Sequence, residues 1–103
     1  MIEIESFIDL HTHTRYPDNN NFPAVDIEFA AKNGGYKDIL AMPNSEIVID
    51  NIENLKKART MDNKLNINVH RAGALTKNLE GSELVNYKDF IENGVLIFSD
   101  DGK

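Results

Sequence analysis

Two histidines separated by one residue, His11 and His13, have the type and spacing that most clearly suggest chemistry in this chain. They close a short apolar run that begins at Ile8. If this run is a β-strand, side-chain alternation places both imidazoles on one face, about two residue rises apart. Neutral imidazole is a good ligand for zinc and its neighbours, so the pair could bind one metal ion. The alternative is that two polar residues simply follow a strand.

Polar residues also follow the other apolar runs. Asn44 follows the run that ends at Met42, and Asp100 and Asp101 follow Val95–Phe98. In a parallel sheet the carboxyl ends of the strands share one edge, where metal sites of α/β folds lie. Imidazole and carboxylate together suit hard and borderline metals. The alternatives are a Pro-Asn turn and an Asp-Asp-Gly turn in which glycine supplies a positive φ.

Single polar residues give weaker signals. Arg15 follows the histidine pair, and its planar guanidinium could bind a substrate carboxylate, although an arginine in a polar loop is more often solvated. Asn44 offers both a donor and an acceptor for the same purpose. His70 has no evident partner in the sequence and is expected to be structural or exposed.

The apolar pattern predicts four strands that alternate with three helices. The strands are Phe7–Thr12, Asp38–Met42, Ile67–Ala74 and Val95–Phe98, and the helices are Ala24–Asn33, Ile52–Met61 and Ser82–Glu92. Asp50 or Asn51 is the predicted cap of the second helix and Ser82 that of the third, whose apolar stripe is Leu84, Tyr87 and Ile91. The order βαβαβαβ indicates an α/β fold with a parallel sheet and right-handed crossovers. An open doubly wound sheet and part of a (β/α)8 barrel both remain possible, but a whole barrel needs about 250 residues.

Composition limits the function further. The chain has 103 residues, a net charge of −6 with scattered basic residues, and no cysteine. It therefore has no basic patch for nucleic acid or an anionic membrane, and histidine and carboxylate are its strong metal ligands. No apolar stretch approaches the roughly 20 residues of a membrane span, and the acidic start lacks the basic region of a signal peptide. A cytoplasmic protein is expected.

Several motifs occur in an order typical of a known family. They are Asp9-Leu10-His11-Thr12-His13-Thr14-Arg15-Tyr16-Pro17, Gly34-Gly35-Tyr36, Met42-Pro43-Asn44-Ser45 with Asp50, Gly73-Ala74-Leu75-Thr76-Lys77 with Gly81, and Phe98-Ser99-Asp100-Asp101-Gly102. Together they resemble the bacterial type I dihydroorotases, which are cyclic amidohydrolases of the metal-dependent hydrolase superfamily. The resemblance covers nearly the whole chain and implies the first half of a (β/α)8 TIM barrel.

The resemblance also implies roles for single residues. His11 and His13 would bind the first zinc ion, Asp101 would bridge two, and Arg15 and Asn44 would hold the α-carboxylate of a small-molecule substrate. The reaction would be the reversible cyclisation of N-carbamoyl-L-aspartate to dihydroorotate in pyrimidine biosynthesis. The family's catalytic aspartate and two further metal-binding histidines lie on later strands, so no catalytic residue is expected within residues 1–103.

The resemblance therefore predicts that residues 1–103 are a partial barrel, as a fragment or truncated domain. Its partner would be the remaining half of the barrel or another copy of the chain, and aspartate transcarbamoylase binds some relatives. One alternative is a metal-dependent phosphoesterase of the PHP class, whose members also begin with D-L-H-T-H-T. Their second strand ends in T-D-H, whereas this chain has Met42-Pro43-Asn44. Another alternative is a non-catalytic amidohydrolase remnant that acts as a partner-binding module.

Overall fold

The computed structural model describes residues 7–14, 24–45 and 47–102. The elements are β1 (Phe7–Thr12), α1 (Ala24–Asn33), β2 (Tyr36–Ala41), α2 (Ile52–Asp62), β3 (Asn68–Arg71), a 3₁₀ turn (Lys77–Leu79) and α3 (Tyr87–Glu92). The three strands form one parallel sheet in the order β1-β2-β3. The predicted α/β class is confirmed, with parallel strands joined through helices.

Local signals explain where α1 ends and where α2 begins. Gly35 has a φ of +84°, a left-handed conformation that glycine adopts without steric cost, and the chain turns there from α1 into β2. Of the two predicted caps of α2, Asn51 is the one observed, because its side-chain oxygen accepts a 2.9 Å hydrogen bond from the Asn54 backbone N–H. Asp50 instead accepts from the Asn78 backbone N–H at 2.9 Å.

The main core lies among α2, α3 and the segments that follow the strands. Phe90 of α3 is almost fully buried and contacts Phe98 edge-to-face. A Cβ at Gly73 would lie 3.2 Å from each of these two rings, so a larger residue would require the rings to shift by a few tenths of an ångström. The buried cluster comprises Ile49, Leu55, Ala58, Ala74, Leu79, Val85, Phe90 and Val95. Leu55 and Ala58 confirm two positions of the predicted apolar side of α2, and Ile52 packs against the same cluster as a partly buried residue.

The predicted fourth strand is not a regular strand. Residues 95–98 run beside the continuation of β3 and join it through a single parallel bridge between Gly73 and Phe98. The Gly73 N–H donates to the Ile97 carbonyl and the Ser99 N–H donates to the Gly73 carbonyl, both at 2.9 Å. Leu96 is 80% exposed. Val95 is buried and Phe98 packs against the core, but Leu96 and Ile97 are exposed, so the middle of the segment has little side-chain packing to stabilise a longer ladder.

The prediction of a helix over Ser82–Glu92 is wrong in its first half. The helix begins after Asn86, because residues 83–85 are already engaged elsewhere. The Lys77 N–H donates to the Glu83 carbonyl at 2.8 Å, and the Val85 N–H donates to the Leu75 carbonyl at 3.1 Å. Ser82 is consequently not a helix cap. The predicted apolar stripe is also wrong, because Leu84, Tyr87 and Ile91 are exposed. The buried residue of this helix is Phe90.

An apolar groove of about 280 Å³ lies open on the molecule, and we call it the open groove. Its apolar lining comprises Ile8, Leu10, Leu40, Val69, Leu96 and Ile97. Leu10 is 70% exposed there, which is unusual for a residue in a strand of an α/β sheet. His70 also lines the groove, and the structure gives it the partner that the sequence did not reveal, because its Nε2 lies 3.1 Å from Asp38 Oδ1. Among the described residues, no helix has the length and apolarity that a bilayer span requires.

Candidate metal centre

The end of β1 carries an irregularity that orients the histidine pair. Asp9 pairs with Ile39 and Thr12 with Ala41, so three steps along β1 match two along β2, as in a β-bulge. Asp9 and Thr12 therefore both line a cavity against α1. His11 and His13 stand on either side of Thr12 and turn together away from that cavity. Side chains therefore alternate between the two faces of the strand across His11, Thr12 and His13, as the sequence predicts. The bulge determines that the histidines lie on the face opposite to α1.

His11, His13 and Asp101 meet at the carboxyl ends of the strands. Their ligand atoms all lie within 4.8 Å of one another. The Nε2 atoms of the two histidines are 3.2 Å apart, and Asp101 Oδ1 lies 2.9 Å from Nε2 of His11 and 3.7 Å from Nε2 of His13. Residues 90 positions apart along the chain are thus brought to one point, where three ligand atoms converge.

Asn44 connects the histidine pair to the aspartate. Its Oδ1 lies 2.8 Å from His13 Nδ1, and its Nδ2 donates to Asp101 Oδ2 at 2.9 Å. The side chain follows β2 directly after Met42 and Pro43, both buried, which hold the backbone in place at this point. The two atoms of Asn44 that the sequence suggested for substrate binding are therefore each within hydrogen-bond distance of a candidate metal ligand.

The neighbouring aspartates Asp100 and Asp101 have different partners. Asp100 accepts from the backbone N–H groups of Leu75 and Thr76, both at 2.9 Å, and from the Thr76 hydroxyl at 2.5 Å. Partial burial tends to raise the pKa of Asp100, but the bonds from Thr76 and Leu75 together outweigh it and hold this pKa below its usual range. Asp100 thus fastens the turn to the loop after β3 and does not join the cluster.

Asp101 takes a backbone conformation that aims its side chain at the histidines. Its φ is 56°, in the left-handed region that aspartate tolerates better than most residues, and Gly102 follows with a φ of 83°. The Asp101 N–H donates to the Ser99 hydroxyl at 3.0 Å. The Asp-Asp-Gly turn that the sequence offered as an alternative to a metal site is therefore present, and it is what presents Asp101 to the imidazoles.

The three ligand atoms fit the dimensions of a zinc site. Two ligands bound at 2.0–2.1 Å to a tetrahedral zinc ion lie about 3.3 Å apart. The three separations between Nε2, Nε2 and Oδ1 run from 2.9 to 3.7 Å. The side chain of His11 is 59% exposed and that of Asp101 is 13% exposed, so the cluster opens to solvent beside His11. Two imidazoles and a carboxylate are also a donor set that zinc accepts.

Two arginines, Arg15 and Arg71, also bear on the site. Arg15 lies outside the described residues, so its predicted role stays a prediction. Arg71 was not predicted from the sequence, and its guanidinium forms a buried bidentate pair with Asp62 at 2.8 and 2.9 Å. Its Nη1 also lies 3.5 Å from the hydroxyl of Thr14, the residue after His13. Nothing in the local pattern distinguishes Arg71 from an exposed arginine at a strand end.

Comparison with known proteins identifies the family. Residues 2–103 match the family described as "Dihydro-orotase-like". The chain belongs to the dihydroorotase-like family. The dihydroorotase of Clostridium acetobutylicum is 37% identical over 98 residues, covering 94% of this chain and 23% of the relative. That of Elusimicrobium minutum is 37% identical over 98 residues, covering 93% and 23%. That of Streptococcus thermophilus is 30% identical over 103 residues, covering 99% and 24%.

This dihydroorotase-like chain spans about a quarter of the length of the curated relatives that it matches. Family membership separates it from the phosphoesterase alternative considered from the sequence. Because the chain covers only 23–24% of these relatives, their activity, substrate and partners are not thereby shown for it.

Proposed function

We propose that this chain forms the first part of the catalytic barrel of a zinc-dependent dihydroorotase. The convergence of His11, His13 and Asp101 within 4.8 Å is the observation that carries the proposal. The overall reaction would be the reversible cyclisation of N-carbamoyl-L-aspartate to dihydroorotate. One or two zinc ions, when bound, would supply the Lewis acidity that activates water and polarises a carbonyl group.

The roles of the chain's own residues follow from their positions. His11 and His13 would hold one zinc ion through their Nε2 atoms, and Asp101 would contribute Oδ1. Asp101 would also share a second ion, as the resemblance implies. Asn44 uses one hydrogen of its amide nitrogen on Asp101, so the second hydrogen is free by stoichiometry to bind a substrate carboxylate. Arg15 would complete that carboxylate site with its bidentate guanidinium.

The rest of the barrel would complete both the fold and the chemistry. Ile8, Leu10 and Leu96 are each at least 60% exposed in the open groove. In a closed barrel such side chains fill the interior in layers. Further strands would therefore cover this surface, and they would come from the remaining half of the barrel or from another copy of the chain. The remaining metal ligands and the acid-base aspartate lie on later strands, as the resemblance implies, so only the remaining half of the barrel would bring them.

A complementation assay tests this proposal. The chain is combined with the matching remainder of the Clostridium acetobutylicum dihydroorotase, and ring closure and opening are measured with zinc present. We expect activity that requires both pieces and that falls by more than about 100-fold in His13→Ala, since losing a ligand exceeds the 10–100-fold effect of losing an outer-shell partner.

Asn86→Ala is the control, because Asn86 is exposed, lies outside the lining of the open groove and makes no side-chain hydrogen bond to the helix that it precedes. It should leave activity within about twofold of the wild type if surface substitutions behave as usual. Equal activity of His13→Ala and Asn86→Ala, or no activity with zinc bound to the combined pieces, would contradict the proposed function.

A further inference from the structure

Asn44 occupies a position between two candidate ligands that a substrate-binding role alone does not require. Its amide lies 2.8 Å from Nδ1 of His13 on one side and 2.9 Å from Oδ2 of Asp101 on the other. His13 and Asp101 come from opposite ends of the chain, and Asn44 comes from a third segment. The amide thus joins three separate segments at the cluster.

The chemistry of Asp101 fixes which way the amide points. An ionised carboxylate only accepts hydrogen bonds, so the atom of Asn44 that faces Oδ2 must be the nitrogen. The amide oxygen is then the atom that faces His13. Because that oxygen only accepts, Nδ1 of a neutral His13 must carry the ring proton. The proton is thereby kept off Nε2, whose lone pair is left facing His11 and Asp101.

We propose that Asn44 is a positioning residue of the metal centre, which holds His13 in its Nδ1–H tautomer and holds Asp101 Oδ1 toward the imidazoles. This inference rests on the proposed function for the identity of the metal. Outer-shell partners of this kind fix the tautomer and ring orientation of a ligating histidine. Here one amide serves two ligands, because its donor and acceptor face opposite ways.

The proposal separates two uses of Asn44. The acceptor and one hydrogen serve His13 and Asp101, and the second hydrogen is the one assigned to a substrate carboxylate. A variant that disturbs the ligands should therefore weaken zinc binding with no substrate present. A residue that served the substrate alone would leave zinc affinity unchanged.

Three variants of the full chain distinguish these roles. Asn44→Leu keeps the approximate shape and removes both bonds, whereas Asn44→Asp keeps an acceptor for His13 and loses the donor to Asp101. Asn86→Leu is the matched control, since Asn86 is exposed and its side chain makes no hydrogen bond to the helix that it precedes. Far-UV circular dichroism of each variant establishes that it is folded before binding is compared.

Two measurements are made on these proteins. Long-range ¹H–¹⁵N correlation spectra of the metal-free protein, at a pH where His13 is neutral, report which ring nitrogen carries the proton. Competition with a chromophoric chelator gives the zinc affinity. We expect the Nδ1–H tautomer in the wild type and in Asn44→Asp, its loss in Asn44→Leu, and a zinc affinity about 10–100-fold lower in Asn44→Leu than in Asn86→Leu.

Two results would overturn the inference about Asn44. A wild-type His13 with its proton on Nε2 would refute it, even if Asn44→Leu failed to fold. Equal zinc affinities for Asn44→Leu and Asn86→Leu would refute it while leaving the proposed function intact. A wild type that shows the Nδ1–H tautomer and binds no zinc would instead refute the proposed function and confirm the hydrogen-bond arrangement.

Discussion

The strand ends and the open groove are built in opposite ways. At the strand ends, His11, His13, Asn44 and Asp101 each contact another member of the cluster, and Asp100 fastens the turn that presents Asp101. In the open groove, side chains such as Leu10 and Leu96 remain largely exposed. Contacts within the chain therefore position the polar cluster, whereas the apolar side chains of the open groove are left uncovered.

Breaking the buried ion pair between Arg71 and Asp62 should cause the largest loss in the free energy of unfolding. Asp62→Leu removes the carboxylate that binds Arg71 through two hydrogen bonds, and both side chains are at most 5% exposed. Breaking a buried pair by removing one partner costs about 3–5 kcal/mol. Urea unfolding should show a loss of free energy of unfolding of that size. A loss below about 1 kcal/mol, the size of an ordinary surface effect, would show that the Arg71–Asp62 pair does not stabilise the fold.

The two adjacent aspartates should respond differently to the same substitution. Asp100→Asn removes a charge that accepts three hydrogen bonds, and we expect a loss of about 2 kcal/mol in the free energy of unfolding. Asp101→Asn should cost less stability and should weaken zinc binding more. Urea unfolding and chelator competition on both variants test the contrast. Equal behaviour of the two variants would show that the turn does not divide structural and metal-binding tasks.

The open groove should tolerate charge without loss of folding. Leu10→Lys is expected to change the free energy of unfolding by about 0.5 kcal/mol or less, because this side chain is already 70% exposed. It should nevertheless prevent complementation by the remaining barrel. Phe29→Lys on α1 is the control, since Phe29 is also exposed, at 69%, and lies outside the groove lining. Complementation by Leu10→Lys at the level of Phe29→Lys would show that the groove is not the docking surface.

The smallest expected effect concerns the contact between Asp38 and His70. The hydrogen bond from His70 is the main reason that the pKa of Asp38 lies below its ordinary value, with a second contribution from Asn68. A lowered carboxyl pKa stabilises the fold above the unfolded-state pKa of about 4, and that stabilisation is lost as the pH falls through the folded-state pKa. Asp38→Asn should therefore flatten the acid limb of a plot of stability against pH below about pH 4. An unchanged acid limb would show that the pair does not affect stability.

The sequence predicted local features better than those that depend on distant neighbours. The bounds of β1 and α1 agree with the structure, because alternation and the Gly34-Gly35 stop are local signals. The convergence of His11, His13 and Asp101 at one edge was also predicted from the parallel strand order and is observed, whereas their binding of a metal stays a prediction. The helix over Ser82–Glu92 was wrong because Glu83 and Val85 bond to the loop after β3. A helical pattern cannot reveal such competition from a segment that is remote in the sequence.

The roles of Asn44, Asp100 and Arg71 required coordinates. Each depends on partners from other segments, such as Asp101 for Asn44 and Thr76 for Asp100. The β-bulge in β1 was also missed, because it appears only when the strand is paired with β2. Sequence pattern thus identified the residue types of the site, and pairing between segments decided how they are oriented.

Anomalous diffraction at the zinc edge, from crystals of the zinc-loaded chain, would locate the bound metal. Within the described residues a histidine side chain lies beside an aspartate side chain in two places: the cluster at the strand ends, and the contact between His70 and Asp38. We expect a strong peak about 2.0–2.2 Å from Nε2 of His11, Nε2 of His13 and Oδ1 of Asp101. A peak at His70 and Asp38 alone, or no peak at the strand ends in zinc-saturated crystals, would contradict this expectation.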